Sequence, residues 1–227
     1  MHPTTRFRPG RHGPLTRVLI GSIAVAILAA ACGVARTNGT GPVESETRAT
    51  QPFTKIEAGN GIGVSVRIGP APAVEVRAQH SLLPIIATDI EGDTLRIRGT
   101  MEFSASTAPQ VVVVTPNLEG ISLSGGSQGT VEGLSDEAIG IELSGGAGLT
   151  ATGTAQKVAL EGTGGSVASL QDLAAGTVVV ELSGGAIANL NATDEVLGEV
   201  SGGARAVVAG PARVDVTSSG GGEVRHE

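Results

Sequence analysis

The sequence predicts an all-β chain wound into a parallel β-helix: a right-handed solenoid of about 18–20-residue coils with an irregular, β-rich N-terminal cap. Three observations predict it. A Ser-Gly-Gly phrase or near copy recurs at Ser124-Gly125-Gly126, Ser144-Gly145-Gly146, Thr163-Gly164-Gly165, Ser183-Gly184-Gly185, Ser201-Gly202-Gly203 and Ser219-Gly220-Gly221, at intervals of 20, 19, 20, 18 and 18 residues. A fixed period of this length is the mark of a stacked repeat. Apolar residues recur at fixed offsets from the phrase. Finally, 227 residues include no Trp, no Tyr and three Phe; a narrow solenoid of aliphatic columns tolerates that scarcity better than a globular core does.

Each repeat reads as strand, Gly-Gly corner, strand, corner. Five residues before the phrase stand Ile139, Val158, Val178, Val196 and Val214. Three before stand Ile121, Ile141, Leu160, Val180 and Val216, with Gly198 as the exception. One before stand Leu123, Leu143, Leu182 and Val200, with Gly162 and Ser218 as exceptions. Such period-two alternation marks a strand with one buried face. After the glycines the alternation resumes with Ser127, Ala147, Ser166, Ala186 and Ala204, then Val131, Ala151, Leu170, Leu190 and Val208. A second turn residue often follows: Gly133, Gly153, Asp172 or Gly210. Glycine suits the corners because it reaches positive φ without a Cβ clash. One coil cannot bury its inner face alone, but coils stacked at roughly 4.8 Å can. The leucine-rich pattern, the calcium-binding nonapeptide (Thr150 stands where Asp is required) and the hexapeptide period are absent.

Ahead of the repeats the chain divides into three. Residues 1–31 read as a signal peptide: Arg6, Arg8, Arg11 and Arg17 precede an apolar run, Val18–Ala31, of 14 residues. That is short of the roughly 20 needed to cross a bilayer and suits a signal h-region. Leu28-Ala29-Ala30-Ala31-Cys32 resembles a bacterial lipobox, and Cys32 is the single cysteine of the chain, so lipidation is expected there. No Arg-Arg pair marks a twin-arginine signal. Cleavage before Cys32 removes four arginines and no acid, which takes the net charge from −7 to −11. Residues 32–51, polar and without apolar periodicity, read as a lipidated flexible tether. Residues 52–117 alternate as strands but without a repeat, and read as N-terminal β-rich coils or a cap. Within them His80–Ile86 reads as a short helical turn or loop. Residues 118–227 form the Ser-Gly-Gly repeat β-helix.

From Thr54 to Gly222 the order of motifs resembles the putative auto-transporter adhesin, head GIN domain family. The parts are Phe53-Thr54-Lys55-Ile56, Val64-Ser65-Val66, Val74-Glu75-Val76, Leu82-Leu83, Ile90-Glu91-Gly92-Asp93-Thr94-Leu95-Arg96-Ile97 and then the Ser-Gly-Gly phrases. The resemblance implies a β-helical, exported protein, attached to a bacterial envelope and named for adhesion. It supplies no catalytic residue, and Ser-Gly-Gly-Ala stands here where the family often has Ser-Gly-Ala-Gly.

The remaining chemistry is sparse. An acidic chain poor in aromatics is a poor binder of nucleic acid, and the same scarcity argues against platforms for stacking carbohydrate. One cysteine makes no internal disulfide. His80 and His226 are the histidines beyond the signal, and no Ser-His-Asp, Cys-His or metal-ligand spacing can be built around them. No cofactor is expected. The hydroxyls of the phrases form a column that is best read as bonding local backbone. Two residues before four successive phrases stand Glu142, Glu161, Glu181 and Glu199. They face outward if their neighbours face in, and they form either a solvated acidic face or a binding ladder for cations or a basic partner. The sequence therefore reads as a non-enzymatic, monomeric, lipid-anchored protein of the cell membrane or outer envelope. Its solenoid surface would serve interaction or adhesion with a protein or glycan partner. The alternative is a β-helix enzyme acting on polysaccharide, which needs facing carboxylates in a groove.

Overall fold

The computed structural model describes residues 36–227; the expected signal peptide and Cys32 lie outside the described residues. The strands, in order, are β1 (Arg36–Asn38), β2 (Val43–Arg48), β3 (Lys55–Ala58), β4 (Gly63–Ile68) and β5 (Ala73–Gln79). After a 3-10 turn at His80–Ile85 come β6 (Ile86–Glu91), β7 (Thr94–Gly99), β8 (Glu102–Ser104), β9 (Gln110–Thr115) and β10 (Gly120–Leu123). The long bent strands β11 (Gln128–Leu143), β12 (Gly148–Gly162), β13 (Val167–Leu182) and β14 (Ile187–Val200) follow. The chain closes with β15 (Arg205–Ala209), β16 (Arg213–Ser218) and β17 (Glu223–His226).

These strands make a β-solenoid of about 5 turns, as the repeat period predicts. One face runs β6–β7–β3–β10 and continues through the last residues of β11 to β14, ending on β16. The other runs β2–β5–β9–β4 and continues through the first residues of β11 to β14, ending on β15 and β17. Stacking within the solenoid is parallel throughout; antiparallel pairs occur only at the cap, as β2–β5, β5–β9 and β6–β7.

The first corner of each coil is the glycine phrase. At the first phrase Ser127 N–H closes the turn on the Ser124 carbonyl at 3.1 Å, and Ser144 N–H donates to the Leu123 carbonyl of the coil beneath at 3.0 Å. The first glycines stack in one column. Each has positive φ, and a methyl on Gly145 would sit 3.3 Å from the Gly125 nitrogen. Glycine is required there both for φ and for close approach. The column begins earlier than the phrases do: Gly125 stacks on Asn60 in the same way, at 3.3 Å. Gly59-Asn60-Gly61 is thus the corner of the first coil, with β3 and β4 as its strands. The chain then leaves the solenoid at Gly69, builds the cap, and returns at β10.

The second corner is not a fixed turn. The strands run on through it with register shifts, between Val131 and Leu134, Thr150 and Gly153, and Leu170 and Ala174. Bulges of this kind absorb the unequal coil lengths and re-aim the strand.

The interior holds the predicted columns. Ile121, Ile141, Leu160 and Val180 are buried in register, as are Leu123, Leu143, Leu182 and Val200. The two exceptions have separate causes. Gly198 adopts φ 131, where a methyl would overlap the Val180 carbonyl oxygen. Gly162 leaves a space that Leu182 fills: a methyl on Gly162 would lie 2.7 Å from Leu182 Cδ2. Ser127 and Ser166 are buried in a column shared with Ile62, Ala147, Ala186 and Ala204.

The tether is a correction. Residues 36–48 are not a flexible linker. Strand β1 pairs in parallel with β8, and β2 pairs antiparallel with β5 from Val43↔Gln79 to Arg48↔Val74. Further bonds fix them: Arg48 Nη2 donates to the Leu83 carbonyl at 2.8 Å, and Thr40 N–H to Ser81 Oγ at 2.8 Å. The side chains of β2 are mostly exposed, so the strand is held by its backbone and leaves no apolar pattern for a sequence reading to find.

Candidate functional site

The four glutamates stand in exact succession in the structure. Glu142 pairs with Glu161, Glu161 with Glu181, and Glu181 with Glu199, each across one inter-strand step. All four are exposed, because the residues on either side of them along each strand face the interior. Ser122, Glu57 and Arg96 continue the column towards the cap, and Thr217 ends it. Among the described residues Glu142, Glu161 and Glu181 have no salt-bridge or hydrogen-bond partner, while Glu199 Oε1 accepts from Ser219 Oγ at 3.2 Å.

Beside this ladder lies an apolar column, Gly140–Ala159–Val179–Leu197, in which Val179 is 43% exposed. The first face therefore pairs a negative stripe with an apolar one. On the other flank an open depression of ≈ 570 Å³ brings Glu161, Glu181 and Glu199 together with the corner hydroxyls Thr163, Ser183 and Ser201. Two corner hydroxyls bond the backbone of the coil beneath: Ser124 Oγ to the Ala58 carbonyl and Ser201 Oγ to that of Leu182. Among the described residues no three His, Cys, Asp or Glu side chains are grouped as a metal ion requires. The ladder spreads its carboxylates along a line, whereas a calcium ion takes about six to eight oxygens converging on one point.

A second concavity, of ≈ 530 Å³, lies at the cap end. Its residues come from the first corner (Asn60), from β3 and β7 (Glu57, Arg96, Arg98) and from the segment around β8 (Met101, Glu102, Phe103). Asn60 has φ 61, the sole non-glycine positive φ among the described residues. Its Oδ1 accepts from Gly99 N–H at 3.2 Å. Arg96 grips Glu57 through Nε at 3.0 Å and Glu91 through Nη1 at 2.7 Å; these hydrogen bonds, Glu57 first, raise the guanidinium pKa further. Arg98 pairs with Asp89 at 3.0 Å. Sequence reasoning missed this groove. The available signal was Gly59-Asn60-Gly61, a degenerate copy of the glycine phrase lying 65 positions upstream of Gly125.

His80 and His226 belong to neither concavity. His80 Nδ1 lies 2.9 Å from Glu44 Oε2, and that hydrogen bond raises the imidazole pKa above 6.5. His226 Nε2 meets the Gly210 carbonyl at 2.8 Å. Among the described residues no helix is long and apolar enough to cross a membrane.

Fold and surface together define a capped β-solenoid with long, regular, chemically simple flanks. Residues 52–226 match the family described as putative auto-transporter adhesin, head GIN domain, and the chain belongs to it. Solved structures share the fold. A putative adhesin from Bacteroides fragilis superposes with TM-score 0.69 at 19% identity, covering 84% of this chain and 99% of that one. A putative adhesin from Parabacteroides merdae gives TM-score 0.53 at 16% identity, covering 85% and 99%. A putative lipid binding protein from Parabacteroides distasonis gives TM-score 0.56 at 13% identity, covering 85% and 100%. No curated protein sequence matches the chain.

Proposed function

We propose that the protein is a non-enzymatic, lipid-anchored component of the cell envelope whose solenoid flank engages a partner in an adhesion-like role. The observation that carries this is the first face: four exposed glutamates in register beside an apolar column exposed at Ala159 and Val179. A periodic surface of this kind suits extended contact. The membership of an adhesin family supports the same reading. The lipobox-like Ala29-Ala30-Ala31-Cys32 supports anchoring. Strand β1 begins four residues after Cys32, so an acyl chain there would hold the molecule by its cap, and two acyl chains would make the anchoring stable.

Metabolic labelling with palmitate tests the anchor. The wild type should take label and fractionate with membranes, and Cys32→Ser should lose label and enter the soluble exported fraction. Unlabelled wild type, with membrane retention unchanged in the variant, would refute the anchor. Capture of envelope fragments on immobilised protein tests the face: the double variant Glu161→Gln/Glu181→Gln should retain less than wild type, and equal retention would place the contact elsewhere.

A further inference from the structure

The groove at the cap end combines features that the repetitive flanks lack. Asn60 occupies the column that every later coil fills with glycine. Glycine is relaxed at φ 61 and asparagine is less so. A side chain kept at such a position is a pointer to a role. Its Oδ1 is engaged by Gly99 N–H, which fixes the carboxamide and leaves Nδ2 as a donor without a partner among the described residues. In the same groove Met101 is 42% exposed and Phe103 is half-buried. Phe103 packs over Gly99, where a methyl would meet its ring at 2.9 Å, so the ring is held in place by the same residue that orients Asn60.

The cations of the groove are already engaged, Arg96 by both Glu57 and Glu91 and Arg98 by Asp89. Glu102 is left without a salt bridge among the described residues and disfavours an anionic ligand. What remains is an apolar platform beside hydrogen-bonding groups of both kinds. A neutral sugar ring has that make-up, with a C–H face on one side and hydroxyls at its edge. The geometry points to this groove as a subsite for one ring of a neutral saccharide. The assignment deepens the adhesion-like function proposed above and rests on that reading for its biological use, while being independent of the anchor and of the glutamate ladder.

The test uses the full exported chain carrying Cys32→Ser, isotopically labelled for nuclear magnetic resonance. The probes are glucose, galactose, N-acetylglucosamine and their β-linked dimers, with glucuronic acid as the charged comparator. At least one neutral sugar should shift the Asn60 side-chain amide and the Gly99 backbone amide with a millimolar dissociation constant. Asn60→Gly, which keeps the corner conformation, and Phe103→Leu should each weaken binding by about fivefold or more. The proposal is overturned if no neutral sugar moves these resonances at about 50 mM, if both variants bind undiminished, or if glucuronic acid binds as well as its neutral counterparts. No sugar binding with envelope capture intact would refute the saccharide subsite and leave the interaction function standing. Loss of capture as well would refute both.

Discussion

Leu182 and Gly162 should behave as a single packing unit. They are in-register neighbours in the innermost column, and Leu182 is 3% exposed. Leu182→Ala removes three carbons from a site with no room to collapse, because backbone closes the solenoid on every side. Transfer and cavity terms together put the loss at about 3 kcal/mol. Gly162→Ala places a methyl 2.7 Å from Leu182 Cδ2 and 3.4 Å from Ala186 Cβ, an overpacking that costs about 1.5 kcal/mol on its own. In the Leu182→Ala background the same methyl enters the space just vacated and should instead recover about 0.8 kcal/mol, the value of one buried carbon. The double-mutant cycle should therefore show a favourable coupling of about 2 kcal/mol. Urea unfolding of the four proteins measures it, and Leu182→Ala alone should lower Tm by roughly 6–12 °C for a chain of this size. Additivity within about 0.5 kcal/mol would show that Gly162 is not the hole Leu182 fills. A Leu182→Asp variant melting within about 1 °C of wild type would place the side chain outside the core altogether.

Three other perturbations have definite signs. The double variant Glu161→Gln/Glu181→Gln removes like-charge repulsion at the centre of the ladder and should raise Tm by roughly 1–3 °C in low salt and by almost nothing near 1 M; a salt-independent change would mean that the gain is not electrostatic. The His80 imidazole should titrate above 6.5 because of Glu44, so its small contribution to holding β2 is complete below 6.5 and fades as pH rises through the folded value. The ring-proton shift of His80 reports this directly, and Glu44→Gln should return it to the ordinary value. Ser127 Oγ is buried without a hydrogen-bond partner among the described residues, whereas its column neighbour is Ala147. Ser127→Ala should therefore stabilise by about 1 kcal/mol in urea with an unchanged m-value; a loss of similar size would reveal a partner for the hydroxyl.

The solenoid was legible wherever stacking forces a residue type to repeat. Ile141, Leu160 and Val180 face one interior, so the offsets that betray them in the sequence are the offsets of the coil. The glutamate ladder could be read for the same reason, since its outward direction follows from inward neighbours. Illegible parts are those where backbone alone does the holding. Strand β2, Val43–Arg48, pairs with β5 through amides and exposes nearly every side chain, so its sequence is indistinguishable from a polar linker. Asn60 was hidden by distance: its nearest stacking partner, Gly125, follows only after the whole cap has intervened. The cap groove depends on both of these. Its corner residue lies in the disguised first coil, and Met101 and Phe103 lie in a segment that follows no repeat.

The two corners of the coil divide the labour of the fold. The glycine corner departs from glycine only at Asn60, because a methyl on the first glycine of any later corner would lie 3.0–3.3 Å from the backbone of the coil beneath. The second corner tolerates it, and the register shifts of β11 to β14 fall there. The cap is the extreme of that tolerance. Residues 69–119 leave after β4 and return at β10, between the same two strands that a two- or three-residue bulge joins in later coils. Strands β3 and β10 still pair in register across this excursion, Ile56 against Ile121. Loop-closure entropy grows only slowly with length, so a long insertion at a permissive corner costs little more than a short one. A family built on this plan can therefore change its cap, and the groove beside Asn60 with it, without disturbing a single glycine stack.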